Sequence, residues 1–131
     1  MASRHESGTV ERALVSVVDD DESVRESLPD LLNELGFEAR VFSSAAEFLS
    51  SGSVSQSDCL ILDIAMPNMT GLELQRELRL RGFHLPVIFI TAHKDESARA
   101  TAFEQGAVGF LLKPFSDTDL FGVIKLALGM N

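Results

Sequence analysis

The sequence has one cysteine, Cys59, so no disulfide can form within the chain. It sits in the apolar run Cys59-Leu60-Ile61-Leu62 and reads as an inert buried thiol, which fits a reducing cytoplasm. Positive charge is scarce: 11 Lys plus Arg face 20 Asp plus Glu, for a formal net charge of -9. Such a field repels phosphate backbones and anionic lipid, so direct nucleic-acid binding by this domain and membrane association are not expected. Long apolar runs are missing as well. None approaches the roughly 18 residues of a membrane span, and Met1 to Arg12 holds no signal-peptide core. The expected setting is cytoplasmic. No internal repeat is evident.

What is present is the composition of an ordinary globular protein, 45% hydrophobic and 24% charged over 131 residues, enough for one core and too little for two. Residues 1–12 lack periodicity and read as a flexible leader, with the domain occupying 13–131. Five short apolar runs follow: Leu14 to Val18, Phe37 to Phe42, Cys59 to Leu62, Pro86 to Ile90 and Ala107 to Leu112. These read as strands. Between them lie five segments of helical spacing. The first carries Val24, Leu28, Leu31, Leu32 and Leu35, with Gly36 as its stop and Pro29 inside it. That proline should cost roughly 3 kcal/mol unless packing accommodates a kink, so a bend or a late start is expected.

Ser43 or Ser44 can cap a short second helix through Ala45, Phe48 and Leu49, before a Ser/Gly-rich loop, Ser50 to Ser57. Leu72, Leu74, Leu78 and Leu80 mark a third helix ending near Gly82. A more polar fourth, Asp95 to Gln105, has Ala98, Ala102 and Phe103 as inward candidates and Gly106 as its stop. The fifth runs from about Asp117 to Leu128, with Leu120, Val123, Ile124 and Ala127 on one face. Fivefold strand-helix alternation predicts an α/β fold with a mainly parallel sheet covered on both faces, because parallel strands need helical crossovers.

The chemistry collects after the strands. Strand one ends in Asp19-Asp20-Asp21-Glu22, strand three in Asp63, strand four in Thr91 and strand five in Lys113-Pro114. Ligands of open α/β sheets bind outside the carboxyl ends of the strands, so these groups should converge. Carboxylates suit Mg²⁺, and Asp20 and Asp63 are the expected direct ligands. A carboxylate can also attack phosphorus to give an aspartyl phosphate, with Lys113 supplying charge and Thr91 a hydrogen bond. Each residue also has a plainer use. The Asp19 to Glu22 run taken alone reads equally well as helix capping, the role expected of Asp21. Asp63 could cap a turn, Thr91 could cap the fourth helix, and Lys113 could be a solvated loop lysine. Coincidence at one end of one sheet favours the joint site.

Four segments carry a resemblance: Val17-Val18-Asp19-Asp20-Asp21, Leu60 through Gly71, Val87-Ile88-Phe89-Ile90-Thr91-Ala92, and Gly109 through Phe115. In this order and spacing, from about Leu14 to Leu128, the sequence resembles the receiver domain of bacterial two-component response regulators. Met66 to Gly71 and Lys113-Pro114-Phe115 are nearest the nitrogen-fixation transcription regulators, whose members typically carry a helix-turn-helix output domain. The chain is then a stand-alone receiver or a receiver cut from a longer regulator.

The resemblance implies a doubly wound, flavodoxin-like five-stranded parallel sheet of order 2-1-3-4-5 and a phosphorylation-dependent signalling switch. It implies Asp63 as phosphoacceptor from a sensor histidine kinase and Mg²⁺ as cofactor, held by Asp20 and Asp63 directly, Asp19 through water and the Ala65 carbonyl. Thr91 and Lys113 would contact the phosphoryl group, and Phe110 would be a switch aromatic, its plainer reading being a core side chain. The face of helix four, strand five and helix five would pass the signal on, including by phosphorylation-dependent homodimerisation. Lys113-Pro114 is often cis in the family. Ala65 and His93 are variable there, and His93 reads as an exposed loop residue without metal spacing to His5 or His84.

Two other readings remain distinct. A phosphatase or phosphotransferase would need a lid that the short connections do not supply, so the expectation is no enzyme beyond self-phosphorylation and dephosphorylation. An interaction module that is never phosphorylated would have no use for the full set of acid, acceptor, hydroxyl and ammonium groups.

Overall fold

The computed structural model describes residues 12–130. The leader expected over 1–12 therefore lies outside the described residues except for Arg12, as does His5. Five strands, β1 (Leu14–Val18), β2 (Glu38–Phe42), β3 (Cys59–Asp63), β4 (Val87–Thr91) and β5 (Gly109–Leu112), alternate with five helices. These are α1 (Glu22–Glu34), α2 (Ala45–Ser50), α3 (Gly71–Leu80), α4 (Glu96–Glu104) and α5 (Asp117–Ala127). The sheet is wholly parallel, and its order β2-β1-β3-β4-β5 is the one the family resemblance implied.

The unbroken apolar runs are explained by a core on each face. Successive strand side chains point to opposite sides. Val15, Val17, Cys59, Ile61, Ile88 and Ile90 thus pack with Leu28 and Leu32 of α1 and Leu120 and Ile124 of α5. Val18, Leu60, Leu62, Val87 and Phe89 pack on the other side with Phe48 of α2, Leu74 and Leu78 of α3 and Ala102 of α4. Only such two-sided burial lets β1, β3 and β4 be buried at every position. Cys59 is buried there, and burial pushes its thiol up to about 12, so it is inert at neutral pH.

Every helix opens on a side-chain cap that follows the turn leaving a strand end. Asp21 accepts from Ser23 N, Ser44 from Glu47 N, Asp95 from Ala98 N and Ser116 from Asp119 N. Thr70 and Glu73 form a reciprocal capping box on α3. Asp95, not Thr91, caps α4, since Thr91 is the last residue of β4. Gly36 and Gly106 close α1 and α4 at φ +102° and +101°, a conformation suited to glycine.

Of the bend or late start expected of the first helix, the late start does not occur: it begins at Glu22 and carries Pro29 internally. One expectation needs correction. Phe103 does not point inward; it is 38% exposed, with the Arg99 guanidinium 5.0 Å from its ring centroid, because α4 presents only Ala98 and Ala102 as buried residues. Leu80, 72% exposed, is also outside the core, two positions beyond the buried α3 stripe that ends at Leu78.

The β3–α3 connection is held by a close approach. Gly71, first residue of α3, donates its N–H to Ile64 O at 2.9 Å, and a Cβ there would lie 2.3 Å from the Asp63 carbonyl oxygen. Backbone on both sides leaves nothing flexible to yield. Gly71→Ala should therefore destabilise the domain by about 1–3 kcal/mol, reversing the ~1 kcal/mol that alanine ordinarily gains over glycine in a helix. Gly52→Ala, where a Cβ meets nothing within 4 Å, is the control and should be near neutral. Urea denaturation of both variants makes the comparison, and equal midpoints would contradict this packing.

Candidate functional site

Strand order places β1 between β2 and β3, so the chain reverses its direction of travel across the sheet between β1 and β3. That switch point opens a crevice at the strands' carboxyl ends. Val18 pairs with Leu62 in register, which brings the next residue on each strand, Asp19 and Asp63, side by side. Ligand oxygens of Asp19, Asp20 and Asp63 all lie within 4.8 Å of one another. Asp19 is 0% and Asp63 5% exposed, whereas Asp20 is exposed.

Lys113 reaches this cluster from the far side of the sheet. Its N–H donates to Thr91 O at 2.7 Å, continuing the β4–β5 ladder, and its peptide bond to Pro114 is cis. The ammonium lies 2.9 Å from Asp19 Oδ2. Asp19 Oδ1 accepts from Asp21 N at 2.9 Å. Asp21 itself turns away to cap α1, and its hydrogen bonds from the Ser23 hydroxyl and N–H hold its carboxyl below the usual range.

Three carboxylates against one ammonium leave negative charge uncompensated. Burial first, and the charge of Asp19 second, push the Asp63 carboxyl up to about 7, against the opposing pull of Lys113. Asp19 Oδ2 is buried with no aligned hydrogen-bond donor, paired by charge alone. An all-oxygen donor set with a surplus acceptor fits a hard divalent cation such as Mg²⁺. Ala65 lies in the same loop, its N–H 3.4 Å from Asp63 Oδ1. Among the described residues these three aspartates are the acidic group close enough to share an ion.

The remaining sequence candidates stand back from the acids. Thr91 is buried, and its hydroxyl is engaged by the loop beyond it, donating to His93 O at 3.3 Å and accepting from His93 N at 3.2 Å. Phe110 is half-buried on β5, its ring 6.4 Å from Phe89, packed against the core beside α3 and α4. His93 and His84 are exposed. Sequence reasoning gave no role to Arg25, whose Nη1 donates to the Asp19 carbonyl at 3.0 Å. The available signal was its place in the second turn of α1, on the helix that the acidic run itself caps.

A family model described as the response regulator receiver domain matches residues 15–125. The chain belongs to that family, whose members act in phosphorylation-dependent two-component signalling. It is 44% identical over 117 residues to the transcriptional regulatory protein TdiR of Thauera aromatica, covering 89% of this chain and 52% of that protein. Identity to the transcriptional regulatory protein FixJ of Azorhizobium caulinodans is 42%, over 89% of this chain and 56% of FixJ. The crystal structure of FixJ-N superposes with a TM-score of 0.82 at 36% identity, covering 92% of this chain and 96% of that one. The nitrogen-fixation type is thus one of several near relatives, and the chain spans about half the length of these curated relatives.

The raised Asp63 pKa has a sign. In metal-free buffer the folded chain keeps a proton up to about 7 that the unfolded chain, at the ordinary 3.8, has already lost. The folded state then binds more protons in this window, so the stability contributed by this group is full below 3.8 and is lost as pH rises through about 7. In EDTA, Asp63→Asn should remove this component: its unfolding free energy should fall less than the parent's between pH 4 and about 7, as read from urea melts.

Proposed function

We propose that Asp63 accepts a phosphoryl group from the phosphohistidine of a sensor histidine kinase, and that the resulting aspartyl phosphate sets the signalling state. The observation that supports this most is the convergence of Asp63 with Asp19, Asp20 and the Lys113 ammonium in one crevice at the β1/β3 switch point. A carboxylate oxygen of Asp63 would form the bond to phosphorus as the phosphorus–nitrogen bond of the donor breaks, the electron pair leaving with the imidazole. Asp20, Asp63, the Ala65 carbonyl and, through water, Asp19 would hold Mg²⁺, which when bound neutralises phosphoryl oxygens during transfer.

The residues around the acids then have distinct tasks. Lys113, paired with Asp19, would turn its ammonium to a phosphoryl oxygen. Thr91 would exchange its bond to His93 O for a bond to the phosphoryl group, freeing the β4–α4 loop. Phe110, packed beside Phe89, would follow that movement and alter the surface of α4, β5 and α5. That surface already exposes Phe103 and Leu112, apolar groups suited to phosphorylation-dependent pairing of two copies. The chain matches about half of relatives named as transcriptional regulators, which supports an attached output domain as the target of the switch.

Intact mass after incubation with acetyl phosphate is the test. The parent should gain one phosphoryl group with Mg²⁺ and none in EDTA, and Asp63→Asn should gain none in either. Labelling of Asp63→Asn to the parent's level would exclude Asp63 as acceptor. Sedimentation of the labelled parent should show a weak dimer, against a monomer before labelling.

A further inference from the structure

Asp19 is fixed at every polar atom. Its N–H donates to Phe42 O at 3.1 Å, Oδ1 accepts from Asp21 N, Oδ2 faces Lys113 Nζ, and its carbonyl accepts from Arg25 Nη1 at 3.0 Å. Three of these partners come from β2, from the acidic turn and from the residue just past β5. The fourth is a long side chain sent back from α1, whose backbone is tied to the same turn by Arg25 N to Asp21 O at 3.2 Å. That carbonyl belongs to the peptide plane joining Asp19 to Asp20. Fixing its oxygen fixes that plane, and with it the Asp20 N and Cα from which the side chain leaves.

We propose that Arg25 is a positioning residue for the divalent-cation site, orienting the Asp19–Asp20 peptide so that the Asp20 carboxylate is held against Asp63. This rests on the reading of the three aspartates as a Mg²⁺ site. Two effects of Arg25 oppose each other. Its positive charge would repel a dication, while its hydrogen bond preorganises the ligands. Arg25 is only partly buried, so its charge is screened by solvent and counterions. The bond it makes ends on a residue with no exposure, where a lost donor is not replaced by water. Orientation therefore outweighs repulsion, and outer partners of this kind are typically worth roughly tenfold or more in metal affinity.

The test is thermal denaturation of the full chain across a Mg²⁺ titration, for the parent, R25M and R25K, each referred to its own melting temperature in EDTA. A merely structural role lowers the EDTA value and leaves the Mg²⁺ concentration for half-maximal stabilisation unmoved. Positioning raises that concentration about tenfold in R25M and by less in R25K, whose ammonium keeps the charge and a donor but not the planar fork. A half-maximal concentration in R25M equal to or below the parent's overturns the proposal, the lower value being the signature of charge alone. If R25M does not fold, R25K decides, and equality with the parent overturns it. A parent with no Mg²⁺ response removes the site reading and this proposal together, an outcome distinct from a responsive parent with unaltered variants.

Discussion

Placing Asp63 against Asp19 in a buried crevice is the constraint on which the rest of this structure depends. Burial and the neighbouring charge of Asp19 make Asp63 resist ionisation, and among the described residues the cation paired in the cluster is Lys113. Such an arrangement costs stability in the absence of a compensating ion, and it persists because the surrounding fold over-determines it. β1 and β3 are buried along their full lengths and paired in register up to Val18 and Leu62, so the acids cannot separate without breaking the middle of the sheet. Gly71 brings α3 against the Asp63 carbonyl from one side, and Arg25 reaches the Asp19 carbonyl from the other. The hydrophobic energy of two cores thereby holds an electrostatic tension at one point.

Much of this is legible in the sequence. Alternating apolar runs and helical spacings carry the parallel sheet, because a chain that must bury both faces of a strand has no polar positions to spare. Asp19, Asp20, Asp63, Thr91 and Lys113 stood out as candidates because each lies at or just past the end of an apolar run, and strand ends are where a two-faced sheet presents polar groups. The order of the strands was a different matter. Periodicity does not say which strand lies beside which, and order 2-1-3-4-5 came from the likeness to a family.

What escaped the sequence was contact. Arg25 looked like an ordinary polar residue of an amphipathic helix, since nothing in a spacing rule says that a guanidinium folds back to a carbonyl six residues earlier. Phe103 looked inward because large apolar residues usually are, yet α4 meets the core through Ala98 and Ala102 and leaves Phe103 off that face. Thr91 was open to two readings from sequence, and its placement at the end of β4 removed one while Asp95 took the capping role. Pro29 sits in the interior of α1, where Leu28 and Leu32 on either side of it are buried against one face of the sheet and outweigh one missing backbone bond.

The corrected placement of Phe103 bears on how a charge at Asp63 could be felt elsewhere. Among the helices described, α1, α3 and α5 each anchor at least one buried leucine, whereas α4 is seated on two alanines and on the Gln75 amide, which donates to Ala102 O at 3.2 Å near the helix's end. Little apolar area holds it, so little free energy is needed to shift it. Its leading end follows directly from the loop that Thr91 ties down through His93. A hydroxyl drawn from that loop toward Asp63 would therefore release the helix with the weakest hold on the core, at the end farthest from the Gln75 contact. The small and polar side chains that set the fourth helix apart in the sequence are thus also what leave it lightly held on the core.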